Sequence, residues 1–186
     1  MAPAGGIDAM LLGAVVAGVL FAVLALAMRR RLGSTTAWAI AGFFWTLVVI
    51  ALVTLLPTDP DVGIVPAEGR ATSCSTDIGG PAPDGLWVLS GGQRLLNTVL
   101  FVPAGALLVL GASRWRIGWV LVPLGLAGLA AYSALIELAQ LELARIDRAC
   151  DLTDVVDNVS GAVVGVGIGL VLMLVFRPWR HRKSGG

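Results

Sequence analysis

The sequence predicts an all-α fold: an integral membrane bundle of about five transmembrane helices, N-terminus outside and C-terminus cytoplasmic. Three observations carry that prediction. The residues are 57% hydrophobic and only 13% charged, about half the charge of an ordinary soluble domain. The apolar residues gather into five runs, each close to the ~20 residues that cross a bilayer at ~1.5 Å per residue. Basic residues collect on one set of alternate connections between those runs, as the positive-inside rule requires. A chain of 186 residues is too short to wrap five apolar helices in polar ones, so a soluble core is the poorer explanation.

The first run, Ile7 to Met28, ends in Arg29, Arg30 and Arg31. No basic residue precedes it and it is too long for a signal core, so it reads as a retained span rather than a cleavable leader. The second run, Ala37 to Leu56, completes an N-terminal pair over residues 1–56. Residues 57–92 form a Pro/Gly-rich connection in which Pro57, Pro60, Pro66, Pro81 and Pro83 argue against a long helix. A connection of that length is usually functional or disordered. The third run is Leu95 to Ala112, the fourth Ile117 to about Ala139, and the fifth about Val155 to Phe176, so 93–176 forms a three-helix region. Between the last two, Leu141 to Thr153 alternates apolar and charged residues, as an interfacial helix or an extension of the fourth span would. A basic tail, 177–186, follows.

With the arginine triplet inside, the same face receives Arg114, Arg116, Arg177, Arg180, Arg182 and Lys183, which makes nine of the 13 Lys and Arg. Arg70, Arg94, Arg145 and Arg148 fall on the other face together with all 12 acidic residues. Acids do little to set topology, so their one-sidedness is a property of the outer face rather than a cause of the orientation. Trp38, Trp115, Trp119 and Trp179 lie near the inner boundaries, where an amphipathic ring settles. Trp87 belongs near the outer surface, and Trp45 lies within the second span. Both cysteines, Cys74 and Cys150, fall in outer segments. A disulfide between them is the favoured reading in an oxidising compartment, and two unrelated thiols the alternative.

Several chemistries are excluded. The single histidine, His181, lies in the basic tail, so the outer face has no histidine triad and no zinc site of the usual kind. There is no phosphate loop, GxGxxG or CxxC. A net charge of +1 offers no broad basic surface to nucleic acid. Asn158-Val159-Ser160 has the form of a glycosylation sequon but opens a membrane helix. Gly161, Gly165 and Gly169 make a small-residue ladder on one face of the fifth run, which suits close helix packing within the molecule before it suits a dimer.

What remains is a polar constellation at the outer ends of the last three runs. Ser133, Glu137 and Gln140 share one face of the fourth by their spacing of four and three. Asp154, Asp157 and Asn158 open the fifth, and Asn97 lies near the start of the third. The constellation admits two readings. It is a set of caps and interhelical hydrogen bonds, with Asp154 as an N-cap, or it is a site, as ionisable groups at membrane depth often are. Arg148, and after it Arg94 and Arg145, are the available partners for the acids. In a catalytic version, Glu137 with Asp154 or Asp157 holds a divalent cation against a lipid pyrophosphate, or Glu137 or Asp154 acts as a general base; the cofactor is otherwise unspecified.

Three segments carry a resemblance. Asn97-Thr98-Val99-Leu100-Phe101-Val102-Pro103-Ala104-Gly105 resembles the Asn…Phe-x-Pro-x-Gly motif of the VanZ-like membrane proteins. Ser133 with Ile136-Glu137-Leu138-Ala139-Gln140 resembles their Ser…Ile-Glu-x-x-Gln. Arg148 through Gly161, with Asp151, Asp154 and Asn158 in register and Gly165 beyond, resembles their Arg…Asp-x-x-Asp-x-x-x-Asn-x-x-Gly. Asp157 departs from the pattern, which is apolar there, and adds charge. The match spans about Leu95 to Gly169. The resemblance implies a multi-pass protein of the bacterial plasma membrane and makes Asn97, Ser133, Glu137, Gln140, Arg148, Asp151, Asp154, Asp157 and Asn158 the ligand-binding candidates. The founding member is associated with teicoplanin resistance. Besides the lipid bilayer, the implied partners are a lipid-linked cell-wall precursor, a glycopeptide antibiotic or another envelope protein. An enzyme acting on such a precursor, or a structural subunit of an envelope complex, are the alternatives.

Overall fold

The computed structural model describes residues 6–58, 65–69, 71–76, 92–143 and 150–179. Five long helices account for most of them: α1 (Ile7–Leu32), α2 (Ser34–Leu55), α3 (Gly92–Ala112), α4 (Gly118–Leu143) and α5 (Leu152–Phe176). All five are long and apolar enough to cross a membrane. Each run extends past its apolar limit at one end or both, because backbone hydrogen bonding continues into the boundary zone after the hydrophobic residues stop. Thus α1 carries the arginine triplet in its last turn. The segment expected as an interfacial helix or an extension begins as an extension, since α4 runs on to Leu143. Only Gly33, at φ 77°, separates α1 from α2, and a side chain there would meet the left-handed penalty.

The outer surfaces of the helices are apolar. Leu12, Leu20 and Val23 of α1, Leu124 of α4 and Val171 of α5 are all exposed, as suits a lipid solvent in which every backbone group must be satisfied by helix. The interior is built on Ile50, Phe101, Leu129, Ile136, Ala104 and Ala162, with Tyr132 packed against them. Tyr132 also donates its hydroxyl to the Leu47 carbonyl of α2 at 2.7 Å. α1 packs chiefly on α2, helped by a 2.9 Å bond from Trp45 Nε1 to the Ala14 carbonyl.

The tightest pair is α3 with α5, which run parallel. Gly161, Gly165 and Gly169 of α5 lie on the α3 backbone. A Cβ added at Gly161 would fall on the Thr98 carbonyl oxygen, at Gly165 on that of Val102, and at Gly169 it would stand 2.7 Å from that of Ala106. From the other side, Gly105 of α3 approaches the Ala162 carbonyl in the same way. The ladder is therefore an intramolecular seam, where van der Waals contact between backbones replaces the hydrophobic drive that lipid cannot supply.

The two ends of the bundle differ. At one end, Arg114 in the turn between α3 and α4 donates to the carbonyls of Leu32 (2.7 Å) and Arg31 (3.2 Å), satisfying orphan carbonyls at the C-terminus of α1. Arg177, with φ 46°, closes α5 there. At the other end, Gly6 donates to Pro57 O at 3.0 Å, and Cys74 is disulfide-bonded to Cys150, their Cα atoms 4.7 Å apart. Ser75 then pairs with the start of α5, accepting from Leu152 N–H and donating to Cys150 O, both at 3.0 Å. The long connection is thus stapled against the entry to the last helix. Trp87 and His181 lie outside the described residues.

Candidate functional site

The polar constellation forms at the disulfide end. Asp151, extended at φ −137° and ψ 127°, is the N-cap of α5, its carboxylate accepting from Thr153 N–H at 2.8 Å. This corrects the assignment of that role to Asp154. The cap must be the last extended residue, and the chain turns helical at Leu152. Asp154 sits in the first turn, where the helix dipole favours its charge, with its side chain beside Asn97. Glu137 of α4 accepts from the Asp151 N–H through Oε2 at 3.0 Å. One carboxylate therefore ties the end of α4 to the entry of α5, next to the disulfide.

Deeper in the seam, Asn158 donates its amide to Ser133 Oγ at 2.9 Å, both side chains buried. Gln140 donates to the Thr54 carbonyl at 2.9 Å, which belongs to the last turn of α2 and has no partner within its own helix. Asp157 is fully buried and holds Arg94 of α3 in a two-pronged ion pair, Nε to Oδ2 at 2.8 Å and Nη2 to Oδ1 at 3.0 Å. The charge that Asp157 adds is accordingly neutralised by Arg94, not displayed to a ligand. Arg148 and Arg145, the other proposed partners, lie outside the described residues.

Asn97, Ser133, Glu137, Gln140, Asp151, Asp154, Asp157 and Asn158 thus come together from α3, α4 and α5. Both oxygens of Asp157, a metal-binding candidate with Glu137 and Asp154, accept from the Arg94 guanidinium. Among the described residues no three His, Cys, Asp or Glu side chains group as a metal site. Among the described residues, four carboxylates gather with one arginine, and three buried polar atoms make no hydrogen bond: Asn97 Nδ2, Gln140 Oε1 and Asn158 Oδ1. Two of these are acceptors, as is the second oxygen of Glu137. The described part of the site offers hydrogen-bond acceptors, which suits a ligand bringing hydroxyl or ammonium donors. Sequence reasoning ranked Arg94 behind Arg148 and missed the Thr54 carbonyl. It had one usable signal for the cap, the Asp-x-x-Asp spacing of Asp151 and Asp154 at a helix start.

A family model described as VanZ/LLP1 matches residues 43–176. The chain belongs to the VanZ/LLP1 family. The match to VanZ/LLP1 takes in most of α2 and all of α3, α4 and α5, including every polar site residue above, and leaves out α1. No curated protein and no solved structure matches the chain. This VanZ-like membrane protein therefore has its family and its five apolar helices established, and its site described by its own geometry.

Proposed function

We propose that this VanZ-like protein is a non-catalytic component of the bacterial plasma membrane whose polar site at the disulfide end opens to the outer leaflet. There it binds the donor-rich head of a lipid-linked envelope precursor and lowers susceptibility to glycopeptides such as teicoplanin. The observation that supports this reading best is the pair of buried acceptors without a partner among the described residues, Gln140 Oε1 and Asn158 Oδ1, carried by the family's own motif positions on facing helices. The outward orientation rests on the positive-inside distribution and on a disulfide at that end, which belongs in an oxidising compartment.

The test is a susceptibility assay in a Gram-positive host, with wild type, Glu137→Gln and Asp154→Asn at matched membrane levels. Glutamine at 137 keeps an oxygen for the Asp151 N–H, so the fold stays and only the charge goes. Selective protection against teicoplanin over vancomycin, lost in either variant, is the expected result. Equal protection by both variants would make the cluster structural. No protection by wild type would remove the glycopeptide role.

A further inference from the structure

At the end opposite the disulfide, a cleft of about 480 Å³ lies between the start of α4 and the last turns of α3 and α5. That volume is in the range of ligand-binding cavities. Its lining is mostly apolar, with Val166 and Met173 of α5 and the first turns of α4, and includes Trp115, Trp119, Trp179 and Arg116. None of these residues belongs to the polar constellation or to the motifs that led to the family.

We propose that this cleft holds one anionic phospholipid, its phosphate on Arg116 among the indoles and one acyl chain laid against α5. Three observations converge on that occupant. Arg116 is the one charged residue in the lining, is exposed, and makes no ion pair among the described residues. Its neighbour Arg114 is committed to the α1 carbonyls, so the two arginines of one turn divide the work, one holding helices and one facing the cleft. Charge is complementary: Arg29, Arg30, Arg31, Arg114, Arg116 and Arg177 lie at this end, and every described acid lies at or towards the other. A guanidinium matches a phosphate in shape and hydrogen bonding, while indole N–H groups favour the headgroup depth. A zwitterionic lipid would bring a second positive charge into an already positive surface.

The experiment uses purified full-length protein, delipidated in detergent, with phosphatidylglycerol or phosphatidylcholine added back and retained lipid counted by native mass spectrometry. Wild type, Arg116→Gln and Arg30→Gln are compared, the last removing an equal charge from the same end but away from the cleft. Circular dichroism and gel filtration confirm each fold. Wild type is expected to retain one phosphatidylglycerol with roughly tenfold preference, the scale of the repulsion between the choline cation and a nearby arginine at a partly desolvated surface. That preference should disappear in Arg116→Gln and persist in Arg30→Gln. Equal loss in both variants would mean diffuse surface charge. Absence of preference in wild type, or its persistence without Arg116, would overturn the site.

Discussion

Gly165 and Gly167 lie two residues apart on α5 and face opposite ways, which makes them a controlled pair. A Cβ at Gly165 would land on the Val102 carbonyl oxygen, with Val102 C at 2.9 Å and Ala106 N at 3.0 Å; at Gly167 it would meet nothing within 4 Å. All of the obstructing atoms are α3 backbone, which cannot swing aside as a side-chain end can. Gly→Ala raises intrinsic helix stability by about 1 kcal/mol at either position, so that contribution cancels in the comparison. What is left is the overpacking cost at Gly165, of order 1–3 kcal/mol. Gly167→Ala should then be neutral or more stable than wild type, and Gly165→Ala less stable than Gly167→Ala by that 1–3 kcal/mol. Reversible unfolding in bicelles, followed by circular dichroism, measures both. Agreement of the two variants within about 0.5 kcal/mol would refute the idea that backbone contact along the seam holds α3 to α5.

Four further expectations can be checked. Arg94→Ala leaves Asp157 buried without its counter-charge and should lower stability by about 3–5 kcal/mol, whereas Arg94→Leu with Asp157→Leu should recover most of the loss; equal stabilities would mean that the pair is incidental. Maleimide should label Cys74 and Cys150 only after reduction, and labelling of untreated protein would rule out the bond. Replacing both cysteines with serine should destabilise by less than the roughly 4.5 kcal/mol that chain entropy allows for a separation of 76 residues, since lipid already restrains the helices. A fluorescent protein fused after Gly186 should fold and glow in the cytoplasm, and a dark fusion at normal expression would invert the orientation.

The spans were legible because lipid exposure demands continuous apolar sequence, and little else in a protein does. Their ends were less so: Arg29, Arg30 and Arg31 are poor membrane residues but good last-turn helix residues, and hydropathy sees only the first property. Within the site, the single-helix relations of Ser133, Glu137 and Gln140 followed from helical periodicity. The relations between helices did not. Three arginines were available to the acids, and choosing Arg94 for Asp157 requires knowing the α3–α5 register, which the glycine seam sets. Gln140 reaches a backbone carbonyl of α2, and a carbonyl leaves no trace in sequence. Asp151 and Asp154 are chemically equivalent candidates for the cap until the last extended residue is known.

The staple between Cys74 and Cys150 also orders events in time. Cys74 leaves the ribosome 76 residues ahead of its partner, or roughly 4–15 s at ordinary rates of synthesis. Until then it waits as a thiol while α3 and α4 are made. The bond can close only when α4 has crossed and brought Cys150 to the side of Cys74. Closure is therefore a receipt for the crossing of α4: a chain that stalls before it keeps a reactive thiol at Cys74.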